Sequence, residues 1–185
     1  MNKRNFLEPY TFSNGLHIKN RIVMPPMTEA SAFSDGHVTT DEVNYYAKRA
    51  GGPGMVITAV ANVTSNGKGI EGELSVSDDK FVPGLRKITA AIKSRGSKAI
   101  LQIFHAGRMT NSHVLRGTQT ESASNIPANR PGAEVPRPLT ESEIEDIITA
   151  FGEATKRAID AGFDGVEIHG ANTYLVQQFF SPHSN

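Results

Sequence analysis

Residues 163–185 read Phe-Asp-Gly-Val-Glu-Ile-His-Gly-Ala-Asn-Thr-Tyr-Leu-Val-Gln-Gln-Phe-Phe-Ser-Pro-His-Ser-Asn. Gly165 to Ile168 is a short buried strand carrying the β-branched Val166 and Ile168. The apolar run stops at His169, Asn172 and Tyr174 follow, and Leu175 to Phe180 reads as the start of a helix. A strand that ends in an imidazole, an amide and a phenol puts polar chemistry where an α/β barrel builds its active site. A helical turn after His169 would place Asn172 on the same face, three positions on. A lone histidine there is explained as well by a core residue beside a helix cap. Three polar groups of matching chemistry favour a site.

Working outward, the preceding segments alternate. Thr140-Glu141-Ser142-Glu143 is a capping box that opens a helix running to Ala161 and stopped by Gly162. Lys98 to Phe104 is a strand, with His105-Ala106-Gly107-Arg108 at its C-terminal end. Leu85, Ile88, Ala91 and Ile92 fall at helical spacing within 81–95, ahead of Gly96. Met55 to Val60 is a strand bounded by Pro53-Gly54, and Thr40 to Ala50 is a helix with early acids, stopped by Gly51-Gly52. Arg21 to Met24 is the first buried strand, closed by Pro25-Pro26, which cannot continue a ladder. Residues 10–20 predict a hairpin: Tyr10-Thr11-Phe12 and Leu16-His17-Ile18 flank the Asn14-Gly15 turn signal. Residues 62–77 and 109–138 read as loops, the second long enough to be a functional lid.

The order is hairpin, then four strand–helix units, with no domain boundary inside 1–185. Such units open a doubly wound sheet or form half of a closed barrel. Pro25-Pro26-Met27-Thr28 after the first strand lacks the glycines that cradle a pyrophosphate, and Gly67, Gly69 and Gly72 do not supply that pattern either. The expected fold is therefore α/β, a (β/α)8 barrel of which this single domain is the N-terminal half, since a whole one takes about 250 residues.

Composition narrows the function. Nineteen basic and nineteen acidic side chains cancel, which gives no electrostatic reason to expect nucleic acid or an anionic membrane as partner. There is no cysteine, hence no disulfide, thiolate nucleophile or thiolate metal site. The N-terminus lacks a signal-peptide core, and no run approaches the roughly 18 apolar residues of a membrane span. A cytoplasmic chain is expected.

Polar or special residues finish all four strands: Pro26-Met27-Thr28, Thr58-Ala59, Gln102 with His105 and Arg108, and His169 with Asn172 and Tyr174. Singly, each has a structural explanation. Thr28 could bond its own loop, Gln102 a buried carbonyl, Arg108 a loop carboxylate, and Ala59 could fill core. In a barrel they share one mouth. No HExxH motif or aspartate cluster suggests metal, and no serine sits in a nucleophile elbow. Without nucleophile or metal, hard chemistry needs an organic cofactor.

Pro26-Met27-Thr28, Gln102 with His105-Ala106-Gly107-Arg108, and His169-Gly170-Ala171-Asn172-Thr173-Tyr174-Leu175 leading to Gln178-Phe179-Phe180-Ser181-Pro182 resemble the old yellow enzyme family. The family comprises FMN-dependent NAD(P)H oxidoreductases on a (β/α)8 barrel, and the resemblance covers the whole chain. It implies FMN as cofactor, NADH or NADPH as reductant and a small activated alkene as substrate. By the same resemblance, Thr28 would bond the flavin near its C4 carbonyl, Pro26, Met27 and Ala59 would pack on the ring, and Gln102 would bond the pyrimidine edge. His169 and Asn172 would donate to the substrate carbonyl or nitro oxygen, and Tyr174 would supply the proton.

Two features depart from the family pattern. Glu29 follows Thr28 where some relatives carry aromatic or apolar residues, leaving substrate preference open. The second half of the barrel, which would bring an arginine over the flavin and the phosphate-binding loops, is not in this sequence. Two unpaired sheet edges would favour a homo-oligomer. The competing expectations are an inactive half barrel paired with another copy, and a cofactor-free aldolase or isomerase. The Schiff-base version of the last is disfavoured, because no predicted strand ends in lysine.

Overall fold

The computed structural model describes residues 5–185. Its centre is a parallel sheet in the order β3 (Val23–Met24), β4 (Met55–Asn62), β6 (Lys98–Phe104) and β9 (Gly165–Ile168), with β5 (Leu74–Ser75) pairing off the end of β4. Helices α1 (Thr40–Arg49), α2 (Val82–Lys93) and α3 (Glu141–Asp160) connect the main strands, and α4 (Leu175–Phe180) follows β9. Four parallel strands with crossover helices are half of the expected barrel.

Helices α1 and α3 begin where the sequence provides a capping side chain. At α3, Thr140 accepts from the Glu143 N–H while the Glu143 carboxylate accepts from the Thr140 N–H, the predicted capping box. At α1 the cap is Thr39, one residue before the predicted start, and its hydroxyl accepts from the Glu42 N–H. The hairpin also forms, from β1 (Tyr10–Thr11) and β2 (His17–Ile18). Its connection is Ser13-Asn14-Gly15: Phe12 N–H donates to the Leu16 carbonyl, and Gly15 takes φ +86°. The loop is thus three residues long with glycine in the left-handed position.

The core lies between the sheet and the helix layer. Val56, Ala59, Ala61, Leu101 and Ile103 pack on Tyr46 of α1, on Leu85, Ile88 and Ile92 of α2, and on Ala154 and Ala158 of α3. Each large aliphatic side chain buried there contributes about 1.5–3 kcal/mol. The register of β4 against β6 slips between Ile57 and Val60. That bulge resets the alternation: Val56 faces the helices before it, Ala59 and Ala61 after it. At the bottom, Asp164 accepts from the Ala99 N–H and pairs with Lys93 and Lys98, fixing the entry of β9.

Three short strands lie inside segments the sequence reads as loop. β5 sits in 62–77, and β7 (Glu121–Ser122) pairs in parallel with β8 (Arg137–Pro138) inside 109–138. Two-residue strands carry no periodicity to read, so only tertiary pairing reveals them.

Candidate active site

The C-terminal ends of β3, β4, β6 and β9 open onto a cleft of about 590 Å³ lined by Pro26, Met27, Thr28, Val60, Gln102, Glu167, Ile168, His169, Gly170, Ala171, Asn172 and Tyr174. The structure therefore gathers Pro26, Met27, Thr28, Gln102, His169, Asn172 and Tyr174 into one place. Ala59 is not among the lining residues. The bulge in β4 buries it against Tyr46, whose hydroxyl accepts the Ala59 N–H at 2.7 Å, and Val60 takes the lining position. His105 and Arg108 are buried away from the cleft. His105 lies 3.4 Å from Glu121, and Arg108 donates to the carbonyls of Ile126 and Pro127 rather than to a loop carboxylate.

The turn after β9 is left-handed, not helical. Asn172 and Thr173 take φ of +51° and +63°, which costs a non-glycine residue free energy that its surroundings must offset. Gln178 supplies much of that restraint. Fully buried on α4, it donates to the carbonyls of Thr173 and Ala106, and its carbonyl oxygen accepts from the Ser122 hydroxyl and the Arg108 N–H. One amide thus ties the turn to the end of β6.

His169 and Tyr174 meet edge to face at 4.9 Å, and Tyr174 meets Phe104 the same way. The Nδ1 of His169 accepts from the Ala171 N–H, so a neutral ring carries its proton on Nε2. Burial holds the imidazole below its usual value, partly opposed by the Glu167 carboxylate. At neutral pH His169 is therefore a neutral N–H donor. Tyr174 is shifted upward, first by burial and then by Glu73, and so remains a protonated phenol.

Gln102 donates from Nε2 to Glu167 at 2.7 Å across the floor. The sequence reading omitted Glu167 although the signal was present: strand alternation puts it on the same face as His169. Among the described residues, no three His, Asp or Glu side chains converge as a metal site would require. The wall of Pro26, Met27 and Val60 with the amide and carboxylate of the floor suits a flat ring with an apolar face and a polar edge. That lining suits the ring portion of FMN.

The model of the NADH:flavin oxidoreductase / NADH oxidase family matches residues 5–185. The chain belongs to this family. It is 54% identical over 179 residues to the NADH:acrylate oxidoreductase of Vibrio harveyi, covering 97% of this chain and 18% of that protein. To the NADH:fumarate oxidoreductase of Klebsiella pneumoniae it is 49% identical, covering 97% of this chain and 19% of that one. The old yellow enzyme homologue of Zymomonas mobilis superposes with a TM-score of 0.91 at 32% identity, over 98% of this chain and 52% of its own. The chain thus spans about half of that solved barrel and less than a fifth of the two oxidoreductases. The old yellow enzyme assignment and the half-barrel fold stand, and with them descent from NAD(P)H-dependent flavin oxidoreductases.

Among the described residues, no helix is long and apolar enough to cross a membrane.

Proposed function

We propose that this chain carries the flavin edge and the substrate donors of an FMN-dependent alkene reductase, and that the 185 residues alone form an inactive half barrel that pairs with another copy. The observation that carries this reading is the coincidence of a donor-lined cleft with a parallel sheet whose outer strands, β3 and β9, each have an unpaired edge. β3 and β9 are edges, and Val23 and Ile168 on them are 42% and 57% exposed. A second copy could close the sheet, β9 of each against β3 of the other, as eight parallel strands. Such a homo-oligomer and a cytoplasmic location are parts of this proposal.

In a completed barrel, bound FMN would supply the hydride that NADH or NADPH delivers. Pro26, Met27 and Val60 would support one face of the ring, while Thr28 and Gln102 would hold its polar edge. His169 Nε2–H and the Asn172 amide would donate to the oxygen on which charge develops, each contributing about 3 kcal/mol. Tyr174, kept protonated by its surroundings, would give its proton to the α-carbon. The two relatives are named for acrylate and fumarate, both α,β-unsaturated carboxylates, which supports an alkene conjugated to an oxygen acceptor as substrate.

The test uses absorbance and light scattering on the purified chain, alone and fused to strands that complete the barrel in a relative. The lone chain is expected to run larger than a monomer and to sustain no NADH-driven enone reduction. The fusion is expected to hold yellow flavin that NADH bleaches and enone restores. A fusion that folds without binding flavin would defeat the reading.

A further inference from the structure

One row of side chains crosses the sheet along the cleft. Val60 of β4 is in register with Gln102 of β6, and Gln102 is in register with Glu167 of β9. Their chain neighbours Ala59, Ala61, Leu101, Ile103 and Val166 pack into the core on the helix side. Strand alternation therefore turns the three row residues the other way, into the cleft that they line. Barrel interiors are filled mostly by branched apolar side chains. This row instead holds an amide and a carboxylate, which are costly away from water unless they are paired. They are paired: Gln102 Nε2 donates to Glu167 Oε1 at 2.7 Å.

That contact decides which way the amide faces. A carboxylate only accepts, so Gln102 meets it through its NH2 end. Turning the amide over would lose the bond and set two oxygens against each other. The Gln102 oxygen is thus the end left for a ligand. It accepts no hydrogen bond from the described residues, and it is not enclosed either, so it is open to the cleft. We propose that Glu167 is a positioning residue that holds Gln102 as a hydrogen-bond acceptor toward the cleft. The cleft then selects a ring whose edge carries an N–H and discriminates against one in which that N–H is blocked. A glutamine without this partner could present either end and would accept both kinds of edge. The imide N–H between the two carbonyls of the flavin ring is such an edge, and in this the role rests on the proposed function.

The orientation is read first without flavin, by NMR of the Gln102 side-chain amide in the folded chain. One Nε2 proton is expected downfield of the ordinary glutamine range in the wild type and back within it in Glu167→Leu. Selection is then read by titrating the chain with FMN and with FMN methylated at the imide nitrogen. The wild type is expected to bind FMN about tenfold or more tightly than the methylated form, and Glu167→Leu to bind the two within about threefold of each other. If Glu167→Leu does not fold, Glu167→Gln offers Gln102 an acceptor and a donor of the same size. It is expected to give an amide shift and a selectivity between those of the wild type and an unlocked amide. A wild-type Gln102 signal in the ordinary range, or one that neither variant moves, overturns the lock. Equal affinity of the wild type for the two flavins overturns the selection. A chain that binds neither flavin, with its Gln102 signal shifted and dependent on Glu167, would uphold the lock and count against the flavin reading.

Discussion

The middle of the sheet and its last strand are built from similar residues yet live in different surroundings. β6 is flanked by β4 and β9, and Leu101 and Ile103 are fully buried under α2 and α3. β9 has one neighbour and no fully buried residue, and Ile168 stands exposed although it is as apolar as Ile103. Beyond β9, α3 and α4 leave an apolar groove lined by Ile144, Ile148, Phe151, Val176 and Phe179, with Phe180 80% exposed. Stability thus resides in β4 and β6, whereas much of the candidate site hangs on the open edge. What covers that edge decides whether the site is rigid enough to work.

The largest expected effect contrasts the two strands directly. Leu101→Ala should cost about 2–5 kcal/mol through a cavity that the packed helices cannot collapse. Ile168→Ala should change stability by no more than about 0.5 kcal/mol in the chain diluted until it is a monomer, whose edge is open. Urea unfolding of both variants measures the difference. An Ile168→Ala loss comparable to that of Leu101→Ala at higher concentration would mean that the edge is covered in solution, as pairing of two copies requires.

A smaller effect concerns the tether between these regions. Gln178→Ala leaves the Thr173 and Ala106 carbonyls and the Ser122 hydroxyl without their partner, at about 1–3 kcal/mol. It should also release the left-handed Asn172-Thr173 turn, seen as faster amide exchange from 169 to 175 with β6 unchanged. Uniform acceleration across β6 would show that the tether supports the whole sheet instead.

The smallest effect is electrostatic. The Glu167 carboxylate favours the imidazolium of His169, opposing burial. Glu167→Gln should therefore move the His169 titration further down, and NMR of its ring protons reads the shift. An upward movement would place the two side chains differently from the structure.

How much was legible follows the same division. The Thr140–Glu143 capping box, the helical spacing of Leu85, Ile88 and Ile92, and the apolar run of β6 are local signals, and each marked its element. The bulge at Thr58-Ala59 depends on how β4 pairs with β6, so nothing local showed that Val60 rather than Ala59 lines the cleft. The left-handed turn at Asn172 is held by Gln178, which bonds Thr173 nearby and three distant partners, Ala106, Arg108 and Ser122, and helical spacing therefore misdescribed it. Of the eight residues that the family resemblance gave roles, all but Ala59 meet in one cleft, whereas Thr58, His105 and Arg108, also expected at the mouth, do not line it.

The most direct test of the account is an amide NMR map of the folded chain titrated with FMN to millimolar concentration. The account predicts weak binding, with shifts concentrated at Thr28, Val60, Gln102 and His169 and absent from α2. A folded chain with no shift at those four amides, or with its shifts elsewhere, would contradict the claim that this cleft is one side of a flavin site.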